Sequence, residues 1–271
     1  MGKVGSRTIF KSLKKLRLGV PIYHAHRLNP ESLKYAKLYV KRTFPEIVYL
    51  AYEKYFWQHI EDRKLSITIS QSPKSERWSI ITLVRDPIAR NISCFFQTID
   101  RRFLNFYKRV KEGLLTINKL VYTFYEKEDH KLPLNWFDVE IKPLFGIDVF
   151  SSTFPKSKGY KIYRSRKADL LVIKLEKLSE CANKAFKEFL NIKKVKLISS
   201  NIAENKDYSY IYQEFIKNIT FPRRYLDMVY DSKLAKHFYS KGEINKFKAT
   251  WEQLPDKKYN KKYKALRMRR F

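Results

Sequence analysis

The amino-acid sequence predicts an α/β fold: a three-layer, mostly parallel sheet flanked by helices. Two nearly continuous apolar runs, Trp78 to Val84 and Asp169 to Leu175, have the composition of strands that are buried on both faces. A helical pattern follows each run, the first opening at Asp86-Pro87 and the second covering 178–190. Strands that alternate with helices are typical of βαβ units, in which the strands run parallel.

Weaker patterns predict further elements. The first is a one-sided helix at 7–17, followed by a short strand from Val20 to Leu28. The alternating residues from Lys64 to Ser70 predict another strand, and the helix that opens at Asp86 is expected to run to about 108. The remaining predicted helices cover about 30–42, 45–61, 209–218, 222–238 and 243–251.

No linker or internal repeat divides the sequence, so a single domain over residues 1–271 is the simplest organisation. Residues 130–168 are irregular, aromatic and basic, and they are interpreted as an insertion on the core. A basic tail follows Pro255.

Composition limits the class of protein. Hydrophobic residues make up 44% of the chain and aromatic residues 15%, which excludes a disordered protein. The formal net charge of +30 predicts anionic partners, and nucleic acid, an anionic membrane, acidic polysaccharide and nucleotide phosphates all fit it. Two cysteines are too few for a disulfide framework. With no apolar signal and no run of 18 apolar residues, a cytoplasmic protein able to attach peripherally to the inner membrane face is expected.

The first candidate site covers residues Lys3 to Thr8, at the start of the first predicted helix. Gly5 lets the backbone approach a phosphate closely, and the N–H groups at a helix start favour an anion. Lys3 can neutralise charge, and the Ser6 and Thr8 hydroxyls can donate hydrogen bonds. The segment is too short for a Walker A loop, which disfavours an ordinary nucleoside triphosphatase. An ordinary helix cap is the alternative interpretation.

The second candidate site follows the first buried run. Arg85 lies at the carboxyl end of that predicted strand, where open α/β sheets bind ligands. Ser93 comes about 12 Å further along the next helix at 1.5 Å per residue. A guanidinium and a hydroxyl so placed could hold one phosphate from two sides. The alternative is a solvated arginine followed by a capping Asp-Pro pair.

Together and in this order, the two segments resemble the paired signatures of the sulfotransferase superfamily, which uses 3′-phosphoadenosine 5′-phosphosulfate on a P-loop-like fold. The resemblance implies that the 5′-phosphosulfate is held by Lys3, Val4, Gly5, Ser6, Arg7 and Thr8, and the 3′-phosphate by Arg85 and Ser93. More narrowly, MGKVGS, YHAH at 23–26, NWFD at 135–138 and GIDV at 146–149 resemble bacterial proteins described as putative capsular polysaccharide synthesis proteins.

One departure from the superfamily pattern concerns the start of the sequence. A phosphosulfate loop normally follows a buried strand, but only two residues precede Lys3. Either the first strand of the P-loop-like sheet lies upstream of this sequence, which is the interpretation we favour, or the loop is held without it.

Sulfuryl transfer would require stabilisation of the leaving phosphate and a base for the acceptor proton. On this resemblance Lys3 stabilises the leaving oxygens. His24 and His26 share one face of a predicted strand and are the candidate bases, with Asp138 as an alternative. Trp136, Asp138 and Glu140 could bind the acceptor. No metal is expected, because no third ligand accompanies the His-x-His pair.

The predicted function is a sulfotransferase that acts on a carbohydrate hydroxyl, in capsular or surface polysaccharide synthesis. A basic nucleic-acid-binding module is one alternative, supported by the mixed aromatic and basic residues at 160–166 and 257–270. A non-catalytic polysaccharide-assembly protein is another. The enzyme requires Lys3, Arg85 and Ser93 to converge on one cavity, whereas a binding module would place basic and aromatic residues on one open face.

Overall fold

The computed structural model describes residues 1–35, 52–73, 75–198 and 209–252. Residues 30–35 are helical. The other α-helices of the described residues are α1 Ser6–Lys15, α2 Tyr52–Gln71, α3 Pro87–Gln97, α4 Ile99–Arg102, α5 Phe106–Lys111, α6 Ile117–Lys127, α7 Lys142–Phe145, α8 Leu178–Leu190, α9 Ser209–Asn218, α10 Arg223–Tyr230, α11 Lys233–Phe238 and α12 Lys241–Glu252.

The chain folds as two compact units, each built from several stretches of sequence. The first unit comprises Met1–Arg85, Gln97–Leu104 and Asn135–Ser200. The second comprises Asp86–Phe96, Asn105–Leu134 and Asn201–Phe271. A single domain over 1–271 stays a prediction.

The sheet lies in the first unit and has the order β1-β3-β2 among the described residues. Its strands are β1 Trp78–Val84, β2 Tyr160–Arg164 and β3 Ala168–Lys174. β1 and β3 are parallel, as predicted, whereas β2 runs antiparallel to β3. The α/β class is therefore confirmed, but the sheet is small and mixed rather than mostly parallel. The reason is that β2, from the segment predicted to be irregular, turns back within three residues to pair with β3.

Helix α8 covers the sheet, because its apolar residues recur on one face. The buried residues of the helix are Leu178, Cys181, Ala182, Ala185 and Phe186, a spacing that gives one continuous stripe. The helix contacts both β2 and β3. The four central residues of β3, Leu170 to Ile173, are completely buried, as expected of a strand with parallel and antiparallel neighbours.

Two predicted strands are wrong. Lys64 to Ser70 lies in helix α2, with Ile69 buried, so the alternating sequence there does not form a strand. Val20 to Leu28 has no regular structure. Its backbone N–H groups find carboxylates instead of a neighbouring strand: those of His26 and Arg27 donate to Asp62 on α2. A carboxylate that satisfies these donors removes the need for a sheet neighbour.

Two predicted helices are interrupted. The helix that opens at Asp86-Pro87 ends at Gln97 rather than near 108. The helix predicted at 222–238 is divided into α10 and α11, because the Ser232 side chain accepts a hydrogen bond from the Ala235 N–H and caps a new helix. The basic tail after Pro255 and most of the helix predicted at 30–42 lie outside the described residues.

In the second unit, a buried carboxylate organises the packing. Asp86 accepts hydrogen bonds from the Tyr230 hydroxyl at 2.8 Å, the Trp251 indole N–H at 2.9 Å and the Ile88 N–H at 3.1 Å. Burial, followed by the negative charge of Asp86, raises the pKa of Tyr230, so the tyrosine stays a hydrogen-bond donor. Asp86 therefore has a structural function in this unit.

The loop that precedes α1 lies over the carboxyl ends of the two parallel strands. Gly5 has a φ of 85°, and a Cβ at this position would lie 2.8 Å from Cδ1 of Leu175 and 3.7 Å from Cδ2 of Leu83. Leu83 belongs to β1 and Leu175 directly follows β3. Gly5 is therefore needed both for the left-handed conformation and for the close approach of the loop to the sheet.

We expect Gly5→Ala to lower the free energy of unfolding more than Gly146→Ala does. Gly146 also has a positive φ, of 67°, but no atom lies within 4 Å of the Cβ that an alanine would add there, so that substitution isolates the backbone cost of about 1 kcal/mol. The contact with Cδ1 of Leu175 should add about 1 kcal/mol for Gly5→Ala. Urea unfolding of both variants measures the difference. Equal losses would show that the loop does not press against the strand ends.

Candidate active site

The Lys3–Thr8 segment forms a tight loop that leads into a helix start. Lys3 and Gly5 both have positive φ, and Val4 between them is completely buried, which fixes the loop to the core. Gly5 is the N-cap residue, and its carbonyl accepts from the N–H groups of Thr8 and Ile9 at 3.0 and 3.3 Å. The first N–H groups of a helix have no acceptor within the helix. The first turn of α1 contains no acidic residue, so this helix start suits an anion.

Two histidines lie beside this loop. Nε2 of His24 is 3.1 Å from Oγ of Ser6, and the rings of His24 and His26 are 4.7 Å apart in an edge-to-face arrangement. A Cβ added to Gly2 would lie 3.8 Å from Nδ1 of His26, so the start of the loop is next to the second ring. Although the predicted strand is wrong, the structure places both histidines at the predicted loop.

The surroundings of His24 keep its imidazole neutral. Burial, then the positive charge of Arg7, then that of the amino terminus lower the pKa of His24 to about 4. The ring is therefore uncharged between pH 5 and 8. The positive charges that resist protonation of His24 are also charges that attract an anion to the same place.

Arg85 joins the loop to the end of β1. The residue is half-buried and directly follows the strand, and its Nη1 donates a hydrogen bond to the Lys3 carbonyl at 3.2 Å. The structure therefore brings together two of the three residues that the enzyme hypothesis requires to converge, Lys3 and Arg85. A basic guanidinium and a basic loop lie at the carboxyl edge of the parallel strand pair, where α/β sheets commonly bind ligands.

Glu140 and Asp62 hold the segment that contains the two histidines by accepting hydrogen bonds from its backbone. Glu140 is buried, and its carboxylate accepts from the N–H groups of Leu28 and Asn29 at 2.8 and 3.0 Å and from the Ser32 hydroxyl at 2.5 Å. Because three donors already bind this carboxylate, a structural function explains the burial of Glu140 without any contact to a carbohydrate acceptor. Sequence reasoning missed Asp62, because an acidic residue next to Glu61, between a predicted helix and a predicted strand, gives no signal of a contact 35 residues away.

The structure places the other predicted site residues as follows. Ser93 is half-buried on α3 in the second unit. Trp136 is half-buried, and its ring lies 5.2 Å from that of Phe137. The pKa of Lys142 is raised mainly by Asp148, and Asp138 adds a smaller contribution. The ligand-binding functions of these three residues stay predictions.

No group of three metal-ligating side chains suited to a metal ion occurs within residues 1–35, 52–73, 75–198 and 209–252. Across the same ranges, no helix has both the length and the apolar character needed to cross a bilayer.

We expect His24 to titrate near pH 4 and Arg7→Ala to raise its pKa, though not to 6.5, because burial is the larger cause. NMR titration of the imidazole protons measures both values. Lys11→Ala is the matched control, since it removes an exposed cation one turn further along α1. A pKa of 6.5 in the unaltered chain, or equal shifts in the two variants, would contradict this electrostatic account.

The same shift has a consequence for stability. Below pH 6.5 the unfolded chain protonates His24, while the folded chain keeps it neutral down to about pH 4. The free energy of unfolding therefore falls as the pH drops through this window, and His24→Gln should remove that part of the pH dependence.

The comparisons with known proteins connect part of the chain to one family. The model of the family described as "Putative capsular polysaccharide synthesis protein" matches residues 109–240, slightly less than half of the chain. The match includes the NWFD and GIDV strings, β2, β3 and α8, but not the loop at Lys3–Thr8 or Arg85. No curated protein and no solved structure matches the chain. The resemblance to this family is thus confirmed over residues 109–240.

Proposed function

We propose that this chain is a sulfotransferase that moves a sulfuryl group from 3′-phosphoadenosine 5′-phosphosulfate to a hydroxyl of a carbohydrate. The observation that carries the proposal is the arrangement of Lys3, Ser6 and Arg85 around a helix start, at the carboxyl ends of two parallel strands. The neutral His24 beside them adds a group that can accept a proton.

The residues at this loop fit a large anion with several oxygens. They provide an ammonium at Lys3, guanidinium groups at Arg7 and Arg85, a hydroxyl at Ser6 and the N–H groups of a helix start. Residues 1–30 contain seven lysines and arginines and no aspartate or glutamate. A phosphosulfate provides the complementary negative oxygens, and bound here it would supply the sulfuryl group.

Lys3 would then balance the charge that develops on the leaving 5′-phosphate, while Arg85 would contact the 3′-phosphate. In the reaction, a bond forms between the acceptor oxygen and sulfur while the bond between sulfur and the phosphate oxygen breaks. Fixed cations at the position where negative charge develops are a large source of rate enhancement in group transfer. The hydrogen bond from Arg85 to the Lys3 carbonyl holds the loop and the strand end in fixed relation.

His24 is the candidate acceptor of the proton from the hydroxyl. With a pKa of about 4 it is a weak base in the free protein, since catalytic bases work best near the operating pH. An anion bound beside Arg7 would offset the positive field and raise the pKa of His24 towards that range. His26, whose ring packs edge-to-face on that of His24, would hold the ring in position.

The carbohydrate acceptor is supported by the family match. The matched family is described by its connection to capsular polysaccharide synthesis. The net charge of +30 suits an acidic glycan, because many cations near the site would raise its local concentration.

The structure weakens the nucleic-acid alternative. Residues 160–166 were its main sequence support within the described chain, but Tyr160 and Tyr163 are buried in strand β2. Buried rings cannot stack on nucleotide bases.

We expect the chain to bind 3′-phosphoadenosine 5′-phosphate at least about tenfold more tightly than adenosine 5′-phosphate, because a charge-assisted contact to the 3′-phosphate is absent in the second ligand. Arg85→Ala should remove this difference. Titration calorimetry of both ligands with both proteins makes the measurement.

Arg77→Ala is the matched control, since Arg77 lies at the other end of β1 and pairs with Asp169 on the surface. That variant should retain the difference between the two ligands. If the unaltered chain binds both ligands equally, the sulfotransferase proposal is wrong. If Arg85→Ala weakens both ligands by the same factor, Arg85 only supports the loop and does not contact the 3′-phosphate.

A further inference from the structure

An exposed apolar loop directly follows helix α1. Leu18, Val20 and Tyr23 have 36%, 62% and 55% of their surface exposed, within a stretch of six residues. Arg17 and Gly19 have positive φ values of 50° and 71°, so the chain turns sharply here. No atom lies within 4 Å of the Cβ position of Gly19, so the space beside this residue of the turn is open. Large apolar side chains grouped in water indicate an interaction surface.

The helix before this loop presents cations on its outer face. Ile9 and Leu13 are buried, whereas Arg7, Lys11, Lys14 and Lys15 are exposed. Arg7, Lys11 and Lys14 are spaced by four and three residues, so they lie along one side of the helix. With the exposed Arg17, the helix and the loop offer five cations around three apolar side chains.

No acidic residue offsets these cations nearby in sequence. Glu31 is the first acidic residue of the chain, and it forms an exposed pair with Lys34. The surface formed by α1 and residues 17–23 therefore has a strong positive charge and an apolar tip.

We propose that α1 and the loop at 17–23 form a docking surface for an anionic phospholipid bilayer. The cations contact lipid headgroups, while Leu18, Val20 and Tyr23 enter the boundary between headgroups and acyl chains. Peripheral proteins commonly combine a basic face with aliphatic and aromatic residues in this way. Tyrosine is favoured at that boundary, because its ring is apolar and its hydroxyl stays in water.

A bilayer accounts for this surface better than an acidic polymer does. A polysaccharide or nucleic acid would neutralise the cations, but it would leave the aliphatic side chains of Leu18 and Val20 in water. A bilayer removes those side chains from water and neutralises the cations at once. The proposal does not depend on sulfotransferase activity. It would place the neighbouring His24 site next to the membrane surface.

Sedimentation of the full chain with lipid vesicles tests the proposal. We expect binding to vesicles of phosphatidylcholine with 30% phosphatidylglycerol (roughly the anionic content of a charged leaflet) and little binding to phosphatidylcholine alone. Leu18→Ser/Val20→Ser should weaken binding at least about tenfold through the lost apolar contacts. Lys11→Glu/Lys15→Glu should weaken it by a similar factor or more.

Matched controls distinguish binding through this surface from binding that depends only on the total charge or on any exposed leucine. Lys184→Glu/Lys187→Glu makes the same charge change on exposed positions of α8 in the same unit. Leu104→Ser/Leu114→Ser removes two leucines that are 58% and 66% exposed elsewhere. Both control variants should bind vesicles almost as well as the unaltered chain, and circular dichroism should show all four variants to be folded.

Any of the following results would overturn the proposal. The first is no preference for anionic over neutral vesicles. The second is an equal loss of vesicle binding in the α1 variant and the α8 control, or no effect of Leu18→Ser/Val20→Ser on vesicle binding. The third is binding to heparin without binding to vesicles, which would assign this surface to an acidic polysaccharide.

Discussion

The close packing of Gly5 against the ends of two strands is the constraint on which the candidate site depends. A Cβ on Gly5 would lie only 2.8 Å from Cδ1 of Leu175 and in van der Waals contact with Leu83, so the loop lies directly on the carboxyl edge of the parallel pair β1 and β3. This contact places the helix start, the Lys3 carbonyl and Arg85 together. Together with the buried Val4 and the hydrogen bond from Arg85, this contact fixes the basic residues at the start of α1 relative to the sheet.

Two buried carboxylates have a comparable function for the histidines. Asp62 and Glu140 accept the backbone N–H groups of residues 26–29, which therefore need no neighbouring strand. An irregular, half-buried segment can thus be held firmly, since its polar backbone groups are paired. His24 and His26 take their positions from this support, and the low pKa of His24 follows from its burial and from the charge of Arg7.

The parts of the fold that the sequence predicted well are those determined by local pattern. The apolar runs of β1 and β3 and the stripe of α8 have the predicted bounds to within one residue. Residues 64–70 alternate like a strand but continue a helix, because burial of Ile69 and the hydrogen bond from Ser66 to the Leu28 carbonyl favour the helix. The loop, Arg85 and the histidines could be proposed from residue types. The hydrogen bonds that Asp62 and Glu140 accept could not be predicted, because their partners are distant in sequence.

The central claim is that an anion binds beside His24 and shares its electrostatic environment. The most direct test is NMR titration of His24 with and without 3′-phosphoadenosine 5′-phosphate. The account predicts that the pKa of His24 rises clearly from about 4 when the ligand binds. Binding of the ligand with no change in the His24 pKa would contradict the account, because it would place the anion elsewhere.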